Sequence, residues 1–161
     1  MTHLPPFDLD LLTQQLVQLL RTPSPVGDTE AAMRLVSGWL REIGLAPKYT
    51  RKGAVVVTLP GKSNDIPSAI TAHVDTLGAI VKTIKPNGRL EFDRIGGYPF
   101  HSVNGEYCQI TTTDGEILTG TVVLVKSSVH VFRDPVKGKE WQPDEVEIRL
   151  DARTPSAKET R

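Results

Sequence analysis

The first 45 residues contain two stretches in which apolar side chains recur at helical spacing. Asp8 is a good N-cap for the first, and Thr22-Pro23-Ser24-Pro25 ends it. The second runs from about Thr29 to Ile43, with Asp28 as its cap and Gly44 at its end. Two amphipathic helices are therefore predicted. Their apolar positions are Leu9, Leu12, Leu16, Leu19 and Leu20 in the first, and Met33, Val36, Leu40 and Ile43 in the second.

Two short runs rich in apolar and β-branched residues follow, Ala54–Leu59 and Ala69–His73. Both are almost continuously apolar, which is typical of strands buried on both faces and not of amphipathic edge strands. Because the two helices precede these strands, the pattern predicts an α/β layer.

Beyond residue 76 the pattern changes to short strands joined by turns. Lys85-Pro86-Asn87-Gly88 and Asp114-Gly115 contain strong turn formers, and each lies between two β-like runs. Two β-hairpins and one further strand are predicted, so this part is expected to be an antiparallel β unit, of the kind that can close into a small barrel. The predicted strands are Gly78–Ile84, Arg89–Phe92, Tyr107–Thr112, Ile117–Val123 and Val146–Leu150.

The chain is therefore divided into an α/β part, residues 1–75, and a β-barrel-like part, residues 76–161. Ser127–Asp144 is a polar excursion from the second part. Thr154 is a good N-cap and Pro155 suits the first helical position, so a helix is expected to begin there. Only a single turn of it would fit before Arg161. This favours a chain that is the N-terminal portion of a longer protein, against the alternative of a frayed tail.

Composition indicates which partners and which cellular compartment are expected. The 161 residues are 39% hydrophobic and 24% charged, and 19 basic side chains balance 19 acidic ones, so no nucleic-acid partner is expected. Cys108 is the single cysteine, which favours a reducing cytoplasm. The N-terminus does not resemble a secretion signal, and no segment is long and apolar enough to span a membrane.

The best candidate for chemistry is His73-Val74-Asp75, at the end of the second apolar run. A strand that ends in histidine, with a carboxylate two residues later, places both side chains on one face at the rim of a sheet. The imidazole can bind a metal while the carboxylate fixes its tautomer. The triplet by itself favours a core histidine and a turn aspartate, but ligands gather at the carboxyl ends of such strands.

Other reactive side chains are assigned ordinary roles. Five lie in the predicted β unit without the spacing of metal ligands and are expected on solvated loops and strand faces: His101, His130, Asp93, Glu91 and Glu106. His3 is expected at the surface, and Cys108 as a small half-buried side chain. Trp39 is expected in the core. Trp141 is expected to pack against the excursion or a partner subunit.

A longer string carries a family resemblance. Ala72–Val81, followed by Asn87-Gly88 and Ile95-Gly96-Gly97, resembles the glutamyl, deblocking and tetrahedral aminopeptidases, which are cytoplasmic two-metal exopeptidases. Thr22–Gly27 is similar to the loop that connects two helices in that family. The resemblance covers nearly the whole chain in order. Within the family the chain is most similar to bacterial members associated with making a small acylated-peptide osmoprotectant.

The resemblance implies a fold and a site. The fold is an α/β zinc-exopeptidase domain interrupted by a β-barrel domain just after the His-x-Asp strand, so the chain would hold part of each. His73 would bind one of two divalent metal ions, zinc or cobalt, and Asp75 would support it. The family's bridging aspartate, paired glutamates, further acidic ligand and late histidine belong beyond Arg161. Short peptides are the implied substrates, and homo-oligomers the implied assembly.

The sequence therefore predicts the N-terminal portion of a metallo-aminopeptidase that is inactive by itself. One alternative is a non-catalytic remnant or oligomerisation fragment, which the ends of the chain favour. Another is a related two-metal deacylase or carboxypeptidase, since those enzymes also place a His-x-Asp pair after a buried strand. The immediate passage into Gly78-Ala79-Ile80-Val81 and a β unit argues against this last alternative.

Overall fold

A computed structural model of the protein describes residues 7–63, 65–133 and 140–160. The chain divides into two compact units, Met1–Thr76 and Leu77–Arg161. This division lies one residue from the predicted boundary. The assignment of the two parts as pieces of two separate domains stays a prediction.

The first helix, α1, spans Leu9–Leu20 as predicted. The Asp8 carboxylate accepts a hydrogen bond from the Leu11 N–H at 2.9 Å, which satisfies one of the free donors at the start of the helix. The apolar face of α1 stays open. Five of its leucines are between 46% and 68% exposed: Leu9, Leu11, Leu12, Leu16 and Leu20.

The second helix, α2, spans Glu30–Glu42 and begins one residue later than predicted. Its N-cap is Thr29, whose carbonyl accepts the first helical hydrogen bond from the Met33 N–H at 3.0 Å. The expectation that Asp28 caps this helix is therefore wrong. On its predicted apolar face, Ile43 is 71% exposed.

The two buried strands predicted for the first unit are not formed as expected. Lys48–Tyr49 (β1) and Val55–Val56 (β2) make a short antiparallel pair, so the run Ala54–Leu59 contributes only two strand residues. Ala69–His73 forms no strand, and Ile70 is fully exposed. A strand exists only through pairing, and among the described residues this run makes no backbone hydrogen bond.

The second unit is an antiparallel sheet of five strands: Gly78–Ile84 (β3), Leu90–Ile95 (β4), Tyr107–Thr111 (β5), Ile117–Leu124 (β6) and Val146–Leu150 (β7). Their order in the sheet is β3-β4-β7-β6-β5. Both predicted hairpins, β3-β4 and β5-β6, and the further strand β7 are confirmed. The sheet is barrel-like but open, since β3 and β5 are its edges in the described part of the chain. The expected fold class is confirmed: a partial α/β part with two helices and a short strand pair is followed along the chain by a partial β-barrel-like sheet.

One face of this sheet carries the hydrophobic core. Alternation along β7 sends Val146, Ile148 and Leu150 to that face, and Ile148 is paired with Leu90 of β4. The rings of Phe92 and Phe100 meet edge to face, with their centroids 5.9 Å apart. The buried cluster is Leu90, Phe92, Phe100, Val122, Val146, Ile148 and Leu150.

Short helical segments complete the second unit. They are the 3-10 turns Phe100–Val103 and Pro143–Glu145, and the helices Val129–Phe132 (α3) and Ala157–Thr160 (α4). The centre of the predicted polar excursion lies outside the described residues. The last helix begins two residues after Pro155, so the expected start at Thr154 and Pro155 is wrong. None of the helices in the described ranges has the length and apolar character needed to cross a bilayer.

Candidate metal site

The two predicted site residues lie in contact. His73 Nδ1 is 3.1 Å from Asp75 Oδ1, and the two side chains are 81% and 43% exposed. When Nδ1 carries the proton and donates it to the carboxylate, Nε2 is the ring atom left to bind a cation. The ring is open to solvent and not enclosed in a hydrophobic core. The pair therefore has the arrangement of a metal ligand with its orienting carboxylate.

The loop between the two helices holds the segment that follows this pair. The Thr76 N–H donates to the Ser24 carbonyl at 2.8 Å, and Pro25 forms a parallel bridge with Thr76. Ser24 is almost fully buried, at 1% exposure. Sequence analysis missed Ser24 as a support of the site. Its sequence signals were its place between two prolines and the family resemblance of the loop Thr22–Gly27, but neither indicates a contact that spans 52 positions of the chain.

The other candidate ligands do not join the pair. The His101 ring meets the Trp141 ring edge to face, with centroids 6.4 Å apart, and Glu91 pairs with Lys82 at 3.3 Å. The remaining three, His130, Asp93 and Glu106, are exposed, and His3 lies outside the described residues. In the described ranges no group of three or more His, Cys, Asp or Glu side chains could hold a metal ion. His73 thus offers one ligand position and not a complete site.

Cys108, Trp39 and Trp141 are all half-buried side chains. Cys108 is half-buried, and its thiol lies 3.4 Å from the Gly120 carbonyl oxygen. Burial, and then the negative charge of Asp151, raise the pKa of the Cys108 thiol, which disfavours the reactive thiolate. Trp39 is half-buried on α2, and Trp141 packs against the core of the sheet.

Comparison with known proteins decides the family. The model of the M42 glutamyl aminopeptidase family matches residues 53–161, which is more than half of the chain. The chain belongs to this family. The matched residues begin before the His73–Asp75 pair and continue through the whole described sheet of the second unit, so the predicted family is confirmed.

A curated relative has similar sequence over most of the chain. It is YhfE of Bacillus subtilis (strain 168), named as an aminopeptidase, and it is 42% identical over 149 residues. The match covers 92% of this chain and 43% of YhfE. The chain therefore spans less than half the length of that relative.

Solved structures show the same fold at low sequence identity. The aminopeptidase APDkam598 of Desulfurococcus kamchatkensis matches with a TM-score of 0.80 at 21% identity, over 93% of this chain and 39% of that one. A TET aminopeptidase of the marine sediment archaeon Thaumarchaeota archaeon SCGC AB-539-E09 matches with a TM-score of 0.77 at 19% identity, over 94% and 40%. The TET1 peptidase of Pyrococcus horikoshii, described as assembling into a tetrahedron or an octahedral shell, matches with a TM-score of 0.69 at 21% identity, over 92% and 42%.

Proposed function

We propose that this chain is the His73-bearing portion of a two-metal M42 aminopeptidase that removes N-terminal residues from short peptides. The observation that carries the proposal is the contact between His73 Nδ1 and Asp75, which leaves Nε2 exposed as a ligand. Family membership supports the reaction class, and the names of the relatives support the exopeptidase direction.

The donor set fits one part of a metal centre. A neutral imidazole is a good ligand for zinc and cobalt, and a carboxylate on its other nitrogen raises its basicity. When bound, two such ions polarise the scissile carbonyl and activate water for attack. In this chain His73 would supply a nitrogen ligand, and Asp75 would hold the ring in its binding orientation. The further ligands and the general base are proposed to belong to the part of the family's length that the chain does not span.

The proposal also covers catalytic activity, oligomeric state and cellular location. Because His73 supplies a single ligand position, the isolated chain is expected to be catalytically inactive. Homo-oligomerisation of the intact enzyme is proposed by analogy with the TET1 peptidase of P. horikoshii, which assembles into a tetrahedron or an octahedral shell. A cytoplasmic location is proposed from the lone Cys108, which cannot form an internal disulfide.

Cobalt titration of the isotopically labelled chain tests the ligand role of His73. Paramagnetic Co²⁺ should broaden NMR signals around residues 72–76 first. His73→Ala should abolish this local broadening, whereas His130→Ala should leave it unchanged, since His130 is equally a solvent-exposed histidine. Broadening near residues 72–76 that persists in His73→Ala would show that another group binds the metal.

Hydrolysis of an aminoacyl anilide tests the catalytic part of the proposal separately. The chain loaded with Co²⁺ or Zn²⁺ should show no turnover above that of the free metal. Local metal binding without hydrolysis supports a partial site. Turnover that disappears in His73→Ala would contradict the proposed inactivity of the isolated chain, and absence of any metal binding would favour a non-catalytic remnant.

A further inference from the structure

A cavity in the second unit, of about 380 Å³, lies where the β3-β4 turn meets the segment after β7. Arg89, Arg149 and Arg153 line it, together with two polar residues and with apolar ones. The polar residues are Asn87 and Thr154, and the apolar ones are Leu150, Ala152 and Pro155. None of the described residues that line it is acidic. Every described residue that lines this cavity belongs to the second unit, and neither His73 nor Asp75 is among them.

Two carboxylates that interact with these arginines, Glu147 and Asp151, are already engaged. Glu147 accepts hydrogen bonds from both Lys85 and Arg89, so two cations share one buried anion. Hydrogen bonds from Tyr107 and Thr119, and then the charge of Arg149, hold the pKa of the Asp151 carboxyl below its ordinary value. Among the described residues that line the cavity, three are arginines and none is acidic, so the charged side chains of the lining are all positive.

Two of the arginines have guanidinium N–H donors that no described side chain uses. Within the described residues, the side chains of Arg149 and Arg153 make no hydrogen bond and no ion pair, although the charge of Arg149 acts on Asp151. A guanidinium carries five N–H donors in a planar fork that matches the oxygens of a carboxylate or phosphate. Arg89 uses one of its terminal nitrogens on Glu147, which leaves its other donors available.

The walls of the cavity are fixed by backbone contacts. Gly88 adopts φ +78°, and a Cβ at this position would lie 1.9 Å from the Thr154 carbonyl oxygen. The Thr160 hydroxyl donates to the Gly88 carbonyl at 3.1 Å, and the Ala157 N–H donates to the Pro86 carbonyl at 3.3 Å. The turn and the segment after β7 are therefore held together by these contacts. The arginines line the cavity between these two segments.

We propose that this cavity binds an oxyanion, a carboxylate or a phosphate group, through the guanidinium groups of Arg149 and Arg153, with Arg89 as a third cationic wall. Charge-assisted hydrogen bonds from planar guanidiniums are the strong form of oxyanion recognition. The bound anion would neutralise the positive charge that Glu147 and Asp151 leave uncompensated. This site does not depend on metal binding at His73.

The test titrates the labelled chain with inorganic phosphate, and separately with acetate, at ionic strength held constant with chloride. Amide signals of residues 87–89 and 149–154 should shift and saturate, with a Kd on the order of 1 mM for phosphate. The double variant Arg149→Gln/Arg153→Gln should weaken binding by about tenfold or more. The matched control Lys126→Gln/Lys158→Gln removes two exposed positive charges outside the cavity and should change the Kd less than about twofold.

The outcomes separate the possible ligands. Saturation with phosphate alone identifies a phosphate site, and saturation with both probes identifies a general oxyanion site that also takes carboxylates. Shifts that stay linear without saturation, or an equal loss of binding in the control variant, would overturn the proposal. The dispersion of the same spectra reports folding, and Arg153→Gln alone, on an exposed loop position, serves if the double variant unfolds.

Discussion

Glu147 is a charged residue at a position of the sheet that is almost closed to solvent. It alternates with Val146 and Ile148 of the core, so its side chain lies on the opposite face of β7, where it is 2% exposed. Lys85 Nζ donates to one carboxylate oxygen at 2.6 Å, and Arg89 donates to the other. Burial of a carboxylate is costly unless it is paired, and here both oxygens are paired with cations.

Replacement of Glu147 by Gln should therefore destabilise the protein by about 2 kcal/mol. The amide keeps the shape of the side chain, but it presents an N–H₂ group to one of the two cations. Urea denaturation followed by tryptophan fluorescence measures the change. The matched control is Glu91→Gln on β4, whose partner Lys82 is 52% exposed, and which should change the stability by less than about 0.5 kcal/mol. Equal effects of the two variants would contradict the role of burial.

Glu147 should also make the stability of the protein depend on pH. Burial by itself raises the pKa of Glu147, but hydrogen bonds and charges from Lys85 and Arg89 outweigh burial and hold the pKa below its ordinary value of 4.5. A carboxyl with a lowered pKa in the folded state contributes stability above its unfolded pKa and loses it as the pH falls through the folded value. The difference between wild type and Glu147→Gln should therefore be full at pH 7 and shrink below about pH 4.5. A difference that stays constant down to pH 3 would contradict this linkage.

At the scale of elements, the β3-β4 hairpin depends on a glycine that serves two purposes. Gly88 provides the left-handed conformation of the turn, at φ +78°. It also admits the Thr154 carbonyl to a distance that leaves no room for a side chain. The turn and the segment that leads to α4 are thus coupled through one position.

Gly88→Ala should cost more stability than the turn conformation alone explains. Gly115, in the β5-β6 turn, has φ +87° but open space where an alanine methyl group would lie, so Gly115→Ala measures the conformational cost by itself. We expect about 1 kcal/mol for Gly115→Ala and at least about twice that for Gly88→Ala. Denaturant unfolding measures both, and NMR should show displaced signals at residues 152–160 in Gly88→Ala only. Similar costs without this displacement would contradict the coupling.

The hairpins and the unformed strand show which elements local sequence can predict. Pro86-Asn87-Gly88 fixes a turn by its own backbone preferences, and the strands on both sides need only each other. Ala69–His73 has equally strand-like composition, but it lacks a pairing partner among the described residues. Strand propensity describes a residue that fits a sheet, and a sheet requires neighbouring strands.

At the scale of the whole molecule, the two units differ in how much apolar surface they bury. The second unit contains the buried cluster of seven apolar side chains, whereas Ala32 is the one fully buried hydrophobic residue in the described part of the first unit. Local stability follows burial and hydrogen bonding, so it should be unequal along the chain.

Hydrogen exchange followed by mass spectrometry should show this inequality directly. Peptides that cover residues 66–75 should exchange completely at the earliest times, because their backbone N–H groups make no hydrogen bonds within the described structure. Peptides from β4 and β7 should exchange on the order of 1000-fold more slowly. They serve as the internal control for a folded sample. Protection of residues 66–75 equal to that of β7 would show that this run is paired after all.

The sequence by itself determined the two helices, the two hairpins, the family and the contact between His73 and Asp75. These features depend on helical periodicity, turn chemistry and a contiguous string of residues, all of which are local. Only the tertiary structure decided the burial of Glu147, the support of Thr76 by Ser24, the arginine-lined cavity and the unpaired state of residues 69–73 within the described structure. Each of these depends on residues far apart in the chain, such as Lys85 and Glu147, which are 62 positions apart. Distant contacts form through the pairing of whole strands, and short-range patterns do not encode which strands will meet.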